Sequence, residues 1–185
     1  VQNLLEVAER ECGFREGEVW IVNDPYLSGS HLQDVTFVAP YFVDGKPFAL
    51  LANTGHWMDI GGSVAGGWAP KAQEIHQEGI IIPPVRIIEQ GVRNEALVKM
   101  FLANVRLPGQ IAGDLAAMLN VFTVGQRGLD GLIERYSAPV VREAVDEMMT
   151  RSEAQMRSLI EAIPDGTYGF EDFFDNDGVV DSPLR

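Results

Sequence analysis

The stretch DVTFVAPYFVDGKPFALLA, Asp34 to Ala52, decides how this chain folds. Asp34 to Val43 is rich in β-branched and aromatic residues and reads as a strand. Asp44-Gly45 is a two-residue hairpin turn, and Pro47 to Ala52 returns as the second strand. Upstream, Glu18 to Val22 is a short β-prone run closed by Asn23-Asp24-Pro25, whose proline bars a helix. Downstream, Gly61 to Pro70 (GGSVAGGWAP) reads as a mobile or ligand-hugging loop. Lys71 to Gln77 is expected as a short helix, and Gly79 to Ile82 as a buried strand that meets the stiff Pro83-Pro84 turn.

After residue 94 the pattern turns helical. Asn94 caps an apolar-periodic stretch reaching Asn104. Pro108 starts a second helix, with Gly125 or Gly128 as its candidate interruption before Ile133. Ser137 and Pro139 begin a third, running to about Ile163. Its stripe of Val141, Val145, Met148, Ser152, Met156, Leu159 and Ile163 reads as core or subunit interface. Pro164-Asp165-Gly166 ends it, and Gly166 to Phe174 is expected as a further strand. Strands followed by helices argue for an α+β fold: a hairpin-rich part over 1–93, a helical part over 94–163, and a strand and exit over 164–185. An opening without Met inside an amphipathic helix, and an end at Ser182-Pro183-Leu184-Arg185, read as an internal fragment of a longer chain.

Composition narrows the function classes. With 14 basic against 27 acidic residues the net charge is −13, a poor match to phosphate backbones, so no nucleic-acid partner is expected. No apolar run approaches the ~18–20 residues of a membrane span, so no membrane partner is expected either. The single cysteine, Cys12, excludes an internal disulfide and a cysteine-rich zinc site, and fits a reducing compartment, most simply the cytoplasm.

The three histidines lie between residues 31 and 76, and two share one pattern: His31-Leu32-Gln33-Asp34 and His56-Trp57-Met58-Asp59. With Asp44-Gly45 as the loop, Val43 pairs with Lys46, which sets Asp34 opposite Gly55 and Gln33 opposite His56. Both patterns then reach the same open end of one hairpin. Two imidazoles and two carboxylates beside glycine-rich turns are groups that a divalent metal takes. Neutral imidazole suits zinc, iron or manganese, and added carboxylates favour harder ions. Asp24 would add a further oxygen. The plainer alternative is that each histidine caps a strand end and each aspartate a turn. Asp34, at the rim of the paired region, is expected as a direct ligand. Asp59, where the chain leaves the sheet, is expected as a ligand or as the partner that orients a histidine N–H. Glu74 and Glu78 are candidate general bases, weighed against ordinary solvated glutamates. His76 reads as solvated and Cys12 as core. No Gly-Lys-Ser/Thr follows the glycine pairs, and no Gly-x-Ser-x-Gly elbow surrounds Ser28 or Ser30.

In order along the chain stand Asn23-Asp24-Pro25-Tyr26, Gly29-Ser30-His31, Asp34, His56, Asp59-Ile60-Gly61-Gly62, Gln77-Glu78-Gly79 and Ile82-Pro83-Pro84. Asn104-Val105-Arg106, Gly113-Asp114-Leu115 and Pro164-Asp165-Gly166-Thr167-Tyr168 follow. Together these motifs resemble the hydantoinase B/oxoprolinase family over essentially the whole chain. The resemblance implies a divided reaction in a hetero-oligomer. An ATPase-type hydantoinase A subunit would bind ATP and phosphorylate the substrate. This chain would complete hydrolysis of a small cyclic amide or, in the carboxylase branch, bond formation between a ketone and carbon dioxide. It also implies a divalent metal on His31, Asp34 and His56. Asp59 and Glu74, read from the residues themselves, are the catalytic candidates. A reading from another class is an assembly module with a structural metal.

Overall fold

Five runs of β-branched and aromatic residues pair as one antiparallel sheet in the computed structural model, which describes residues 6–8, 10 and 13–173. The strands are β1 (Val19–Val22), β2 (Asp34–Val43), β3 (Lys46–His56), β4 (Val85–Glu89) and β5 (Val92–Arg93), in the spatial order β3-β2-β1-β4-β5. Helices α1 (Glu95–Ala103), α2 (Pro108–Tyr136) and α3 (Ala138–Glu161) follow, so the α+β expectation holds. The chain forms two compact units, Val1–Gly131 and Leu132–Arg185. Among the described residues no helix is long and apolar enough to cross a membrane.

The central strands are covered on both faces. On one, Val35, Phe37, Ile21 and Ile87 bury against Phe101 of α1 and Ile111, Leu115 and Phe122 of α2. On the other, Trp20 and Val38 meet Ala8, with Phe14 and Leu50 packed alongside. Two-sided burial explains why β2 is apolar almost throughout rather than alternating. Asn94 caps α1 as expected, its Oδ1 accepting the Leu97 N–H at 3.1 Å.

The hairpin turn is as read: Asp44 and Gly45 both take positive φ, 49° and 70°, the signature of a type I′ turn. The register is not. Val43 pairs with Lys46 and Phe42 with Pro47, but Tyr41 pairs with Ala49, so Phe48 is an extra residue on β3. Pro47 has no N–H for the ladder, and the bulge beside it shifts all later pairs by one. Asp34 therefore faces His56, not Gly55.

Several further expectations are corrected. Gly79 to Ile82 forms no strand; it is pinned by the Asn23 side chain, and the strand comes after the prolines, as β4. Lys71 to Gln77 makes only a 3-10 turn, Ile75–Gln77, because the segment is tied sideways: Ser63 N–H and Oγ both donate to the Gln77 carbonyl. Helix α2 runs unbroken through Gly125 and Gly128, whose cost of about 1 kcal/mol each is outweighed by the buried face earlier in the helix. No residue of α3 is buried, and its apolar stripe is exposed beyond the half-buried Val141. Residues 166–173 join no ladder, and 174–185, with Cys12, lie outside the described residues.

Asn23 is fully buried, and its side chain closes three gaps in the backbone. Nδ2 donates to the carbonyls of Leu32 and Ile80, each at 2.8 Å, and Oδ1 accepts the Ile82 N–H at 2.6 Å. Asn23→Ala would orphan all three groups and should cost about 3 kcal/mol, read as a lower urea midpoint.

Tyr41 donates to Asp130 Oδ1 at 2.6 Å, and burial together with that carboxylate pushes its phenol up to about 12. A raised pKa stabilises the fold fully below the ordinary value near 10, and the contribution is lost as pH climbs through about 12. Between about pH 9 and pH 12 the native protein should lose on the order of 1–2 kcal/mol more stability than Tyr41→Phe.

Candidate metal centre and its pocket

The hairpin brings two histidines to one carboxylate. Asp34 opens β2, His56 ends β3, and as cross-strand partners they present their side chains on one face. His56 Nδ1 lies 3.3 Å from Asp34 Oδ1. His31 arrives through a tight turn in which the Asp34 N–H donates to the His31 carbonyl at 3.0 Å. That turn sets His31 Nδ1 3.2 Å from Asp34 Oδ2. The two rings meet edge to face with centroids 4.9 Å apart. Burial by itself would raise the Asp34 pKa. The Ser30 N–H at 3.1 Å, the His56 ring and the His31 charge outweigh it, and the carboxyl stays below its ordinary value.

Donor atoms of His31, Asp34 and His56 all lie within 4.8 Å of one another. His31 Nδ1 is buried without a hydrogen-bond partner, since its approach to Asp34 lacks hydrogen-bond alignment. Two donors on one tetrahedral ion, with bonds of about 2.0–2.1 Å, stand roughly 3.3 Å apart. Each imidazole stands about that far from one oxygen of Asp34, His31 from Oδ2 at 3.2 Å and His56 from Oδ1 at 3.3 Å. Two imidazoles and a carboxylate suit zinc, iron and manganese and leave positions open for water or substrate. The residues present fit a divalent metal.

A cavity of about 260 Å³ opens beside this group, between the two histidines and the wall formed by Gly66, Gly67, Trp68 and Pro70. Gln33, next to Asp34 in the chain and buried, holds that wall: its Nε2 donates to the Gly67 carbonyl at 2.6 Å. A Cβ on Gly67 would fall 2.1 Å from the same Nε2, so the contact requires glycine. A second cavity, of about 470 Å³, adjoins His31 and is lined by Tyr26, Ser30, Glu74 and Glu78.

Asp59 is not brought to the histidines. It is buried, Oδ1 accepts the Gly61 N–H at 3.0 Å, and Oδ2 accepts the N–H groups of Arg106 and of Leu107, the latter at 2.8 Å. The carboxylate thus sits at the start of α2, where the helix dipole favours an anion. The Arg106 guanidinium, 3.9 Å from Asp59, donates to the carbonyls of Gly61, Gly62 and Val64. The first His-x-x-Asp pattern supplies two donors to the centre and the second only its histidine. Glu74 lies outside the donor group, exposed in the second cavity with its carbonyl accepting the Gln77 N–H. Asp24 is likewise apart, accepting the Tyr26 N–H in its own turn. Sequence reasoning passed over Gln33, Trp68 and Arg106. Of these Trp68, a large aromatic inside a glycine-rich loop, and Arg106, within the Asn104-Val105-Arg106 motif, carried a signal.

All 185 residues match the family described as hydantoinase B/oxoprolinase. The chain belongs to that family. The caprolactamase subunit beta of Pseudomonas jessenii is 39% identical over 153 residues, covering 83% of this chain and 26% of that protein. The acetophenone carboxylase delta subunit of Aromatoleum aromaticum is 33% identical over 172 residues, covering 92% and 25%. The crystal structure of the ATP-dependent caprolactamase from Pseudomonas jessenii superposes with a TM-score of 0.83 at 36% identity, over 89% of this chain and 29% of that one. This member of the hydantoinase B/oxoprolinase family therefore spans about a quarter of the length of these two relatives.

Divalent-metal titration separates the two aspartates. Asp34→Asn and His31→Ala should weaken metal affinity by at least about 100-fold with little change in melting temperature. Asp59→Asn should leave affinity within a few-fold and cost about 2 kcal/mol of stability.

Proposed function

We propose that this chain is the metal-holding part of a B-type subunit in an ATP-dependent cyclic amidohydrolase of the hydantoinase/5-oxoprolinase kind. The observation that carries the reading is the convergence of His31, Asp34 and His56, with donor atoms within 4.8 Å of one another, beside a cavity that both histidines line. The relatedness to a caprolactamase subunit beta supports ring-amide chemistry. His31, Asp34 and His56 would hold a divalent ion of zinc, iron or manganese. When bound, such an ion polarises a carbonyl or phosphoryl oxygen and acidifies water.

The chain's own residues do the rest. Asp34, kept ionised, fixes both imidazole rings, and Gln33 holds the glycine wall against them. Trp68 and Pro70 line one side of the cavity. Glu74, across His31 in the adjoining cavity, is the candidate to take a proton from the attacking water and pass it to the leaving nitrogen. Asp59 acts at a distance, through the loop it anchors. Gly45-Lys46 leads to proline rather than Ser/Thr, so a phosphate loop is not found there, and ATP is assigned to an A-type ATPase partner. The setting is a cytoplasmic hetero-oligomer.

The relatedness to an acetophenone carboxylase delta subunit favours a second reading, in which the same centre serves carboxylation of a ketone. The full-length chain reconstituted with its ATPase partner decides between them. ATP-dependent opening of 5-oxoproline, hydantoin or a simple lactam ring is expected. Carboxylation of a small ketone with bicarbonate instead would establish the second reading. Activity unaffected by Asp34→Asn would reduce the centre to a structural role. Glu74→Gln should lower kcat by about 100-fold or more with metal retained.

A further inference from the structure

The carboxylates around the metal centre are used unequally. Asp34 is taken by two imidazoles and the Ser30 N–H, and Asp59 by three backbone N–H groups. Glu78 is half-buried, and among the described residues its carboxylate has no hydrogen bond or ion pair. Lys71 stands in the chain between Pro70, which lines the first cavity, and Ala72, which lines the second. Its own side lines a further cavity with Ser63 and Gln77, and it forms no ion pair with Glu78.

The Glu78 backbone, by contrast, is held on both sides. Its N–H donates to the Ile75 carbonyl at 3.0 Å. The Gln77 carbonyl before it accepts the Ser63 N–H at 2.7 Å and the Ser63 Oγ at 2.8 Å. Beyond it, the Ile80 N–H donates to the Ile60 carbonyl at 2.9 Å. A held backbone that carries an unpaired, half-buried carboxylate is a binding group in want of a donor.

Its position indicates which donor. His31 and Glu78 are the two residues that line both cavities, so Glu78 borders the same space as an imidazole of the metal centre. An amide offers two handles: a carbonyl oxygen, which a metal ion attracts, and an N–H, which an acceptor attracts. A small ring holds its planar amide cis, with both handles on one edge. A cation site and an acceptor-only carboxylate that border one cavity complement that edge. The charge-assisted N–H···O bond is about twice as strong as a neutral one.

We propose that Glu78 accepts the ring N–H of the substrate, which fixes the edge turned to the metal centre and confines the site to amides whose nitrogen bears hydrogen. The proposal rests on the amidohydrolase reading above and adds a specificity-determining residue to it. An N-alkyl amide would displace water from Glu78 and return no donor, leaving the charge unpaired.

The test uses 2-pyrrolidinone and N-methyl-2-pyrrolidinone, one uncharged ring with and without the N–H. Each is titrated calorimetrically into the metal-loaded full-length chain and assayed as substrate of the complex with its ATPase partner. Expected is binding of 2-pyrrolidinone at least about 30-fold tighter. Glu78→Leu should bring the two probes within about three-fold of each other by weakening 2-pyrrolidinone alone. Glu78→Gln, which keeps the shape and a neutral acceptor, should narrow the gap about five-fold, and it reads the same contact if the leucine variant fails to fold. Metal affinity should stay within a few-fold in both.

A steric penalty on the methyl group would survive both substitutions, so a gap that neither narrows overturns the proposal. Equal binding of the two probes to the unaltered chain also overturns it. A loss of metal affinity of about ten-fold or more in Glu78→Gln does the same, by making Glu78 a ligand of the ion. Binding that depends on Glu78 and the N–H, without ring opening by the complex, overturns the hydrolase reading and leaves the Glu78 assignment standing.

Discussion

One buried amide holds the site's surroundings together. Asn23 stands where β1 stops, and beyond it the chain must turn while its neighbours remain packed. An apolar residue there would leave the carbonyls of Leu32 and Ile80 and the N–H of Ile82 without partners in a dry interior, each at a cost of about 1–3 kcal/mol. The amide, with two donors and an acceptor, satisfies all three. It thereby fixes the loop that delivers His31 and the segment that follows Glu78. The centre and part of its pocket share a single polar anchor.

A second buried polar group does comparable work on the opposite wall. The Asp59 carboxylate is filled by backbone N–H groups from the glycine loop and from the start of α2. Its companion Arg106 then grips the loop through three carbonyls. Gly62, at φ 81°, lets the same loop pack against the Glu78 backbone, since a Cβ would fall 2.6 Å from the Glu78 carbonyl. The two His-x-x-Asp copies thus diverge in role according to burial: Asp34 keeps partial access to solvent beside two imidazoles, whereas Asp59 is enclosed among amides.

The hairpin and the donor trio were legible because each rests on local signals: β-branched runs, Asp44-Gly45, and residues close in sequence. The one-residue register slip was not, because it depends on a bulge beside Pro47 that no turn signal announces. The slip leaves the site intact, since the patterns are broad enough to meet in either register, and it places His56 directly across from Asp34. β4 was hidden by the apolar triplet Ile80-Ile81-Ile82, which has strand composition but takes its hydrogen bonds from Asn23 instead of a ladder. The role of Asp59 was illegible for a similar reason, since its partners lie 47 and 48 residues away. The Gln33–Gly67 contact likewise spans 34 residues, with no periodicity to mark it.

These separations also order the molecule in time. His31 through His56 is a stretch of 26 residues built around one hairpin, an element that forms in about 1–10 μs. The anchors of the pocket join residues 34 to 59 positions apart, and each closes a longer loop against chain entropy. The hairpin that aligns His31, Asp34 and His56 closes the shorter loop, and the walls around them close the longer ones. The donor group of His31, Asp34 and His56 is thus a local feature of one hairpin, whereas the cavity beside it depends on contacts far apart in the chain.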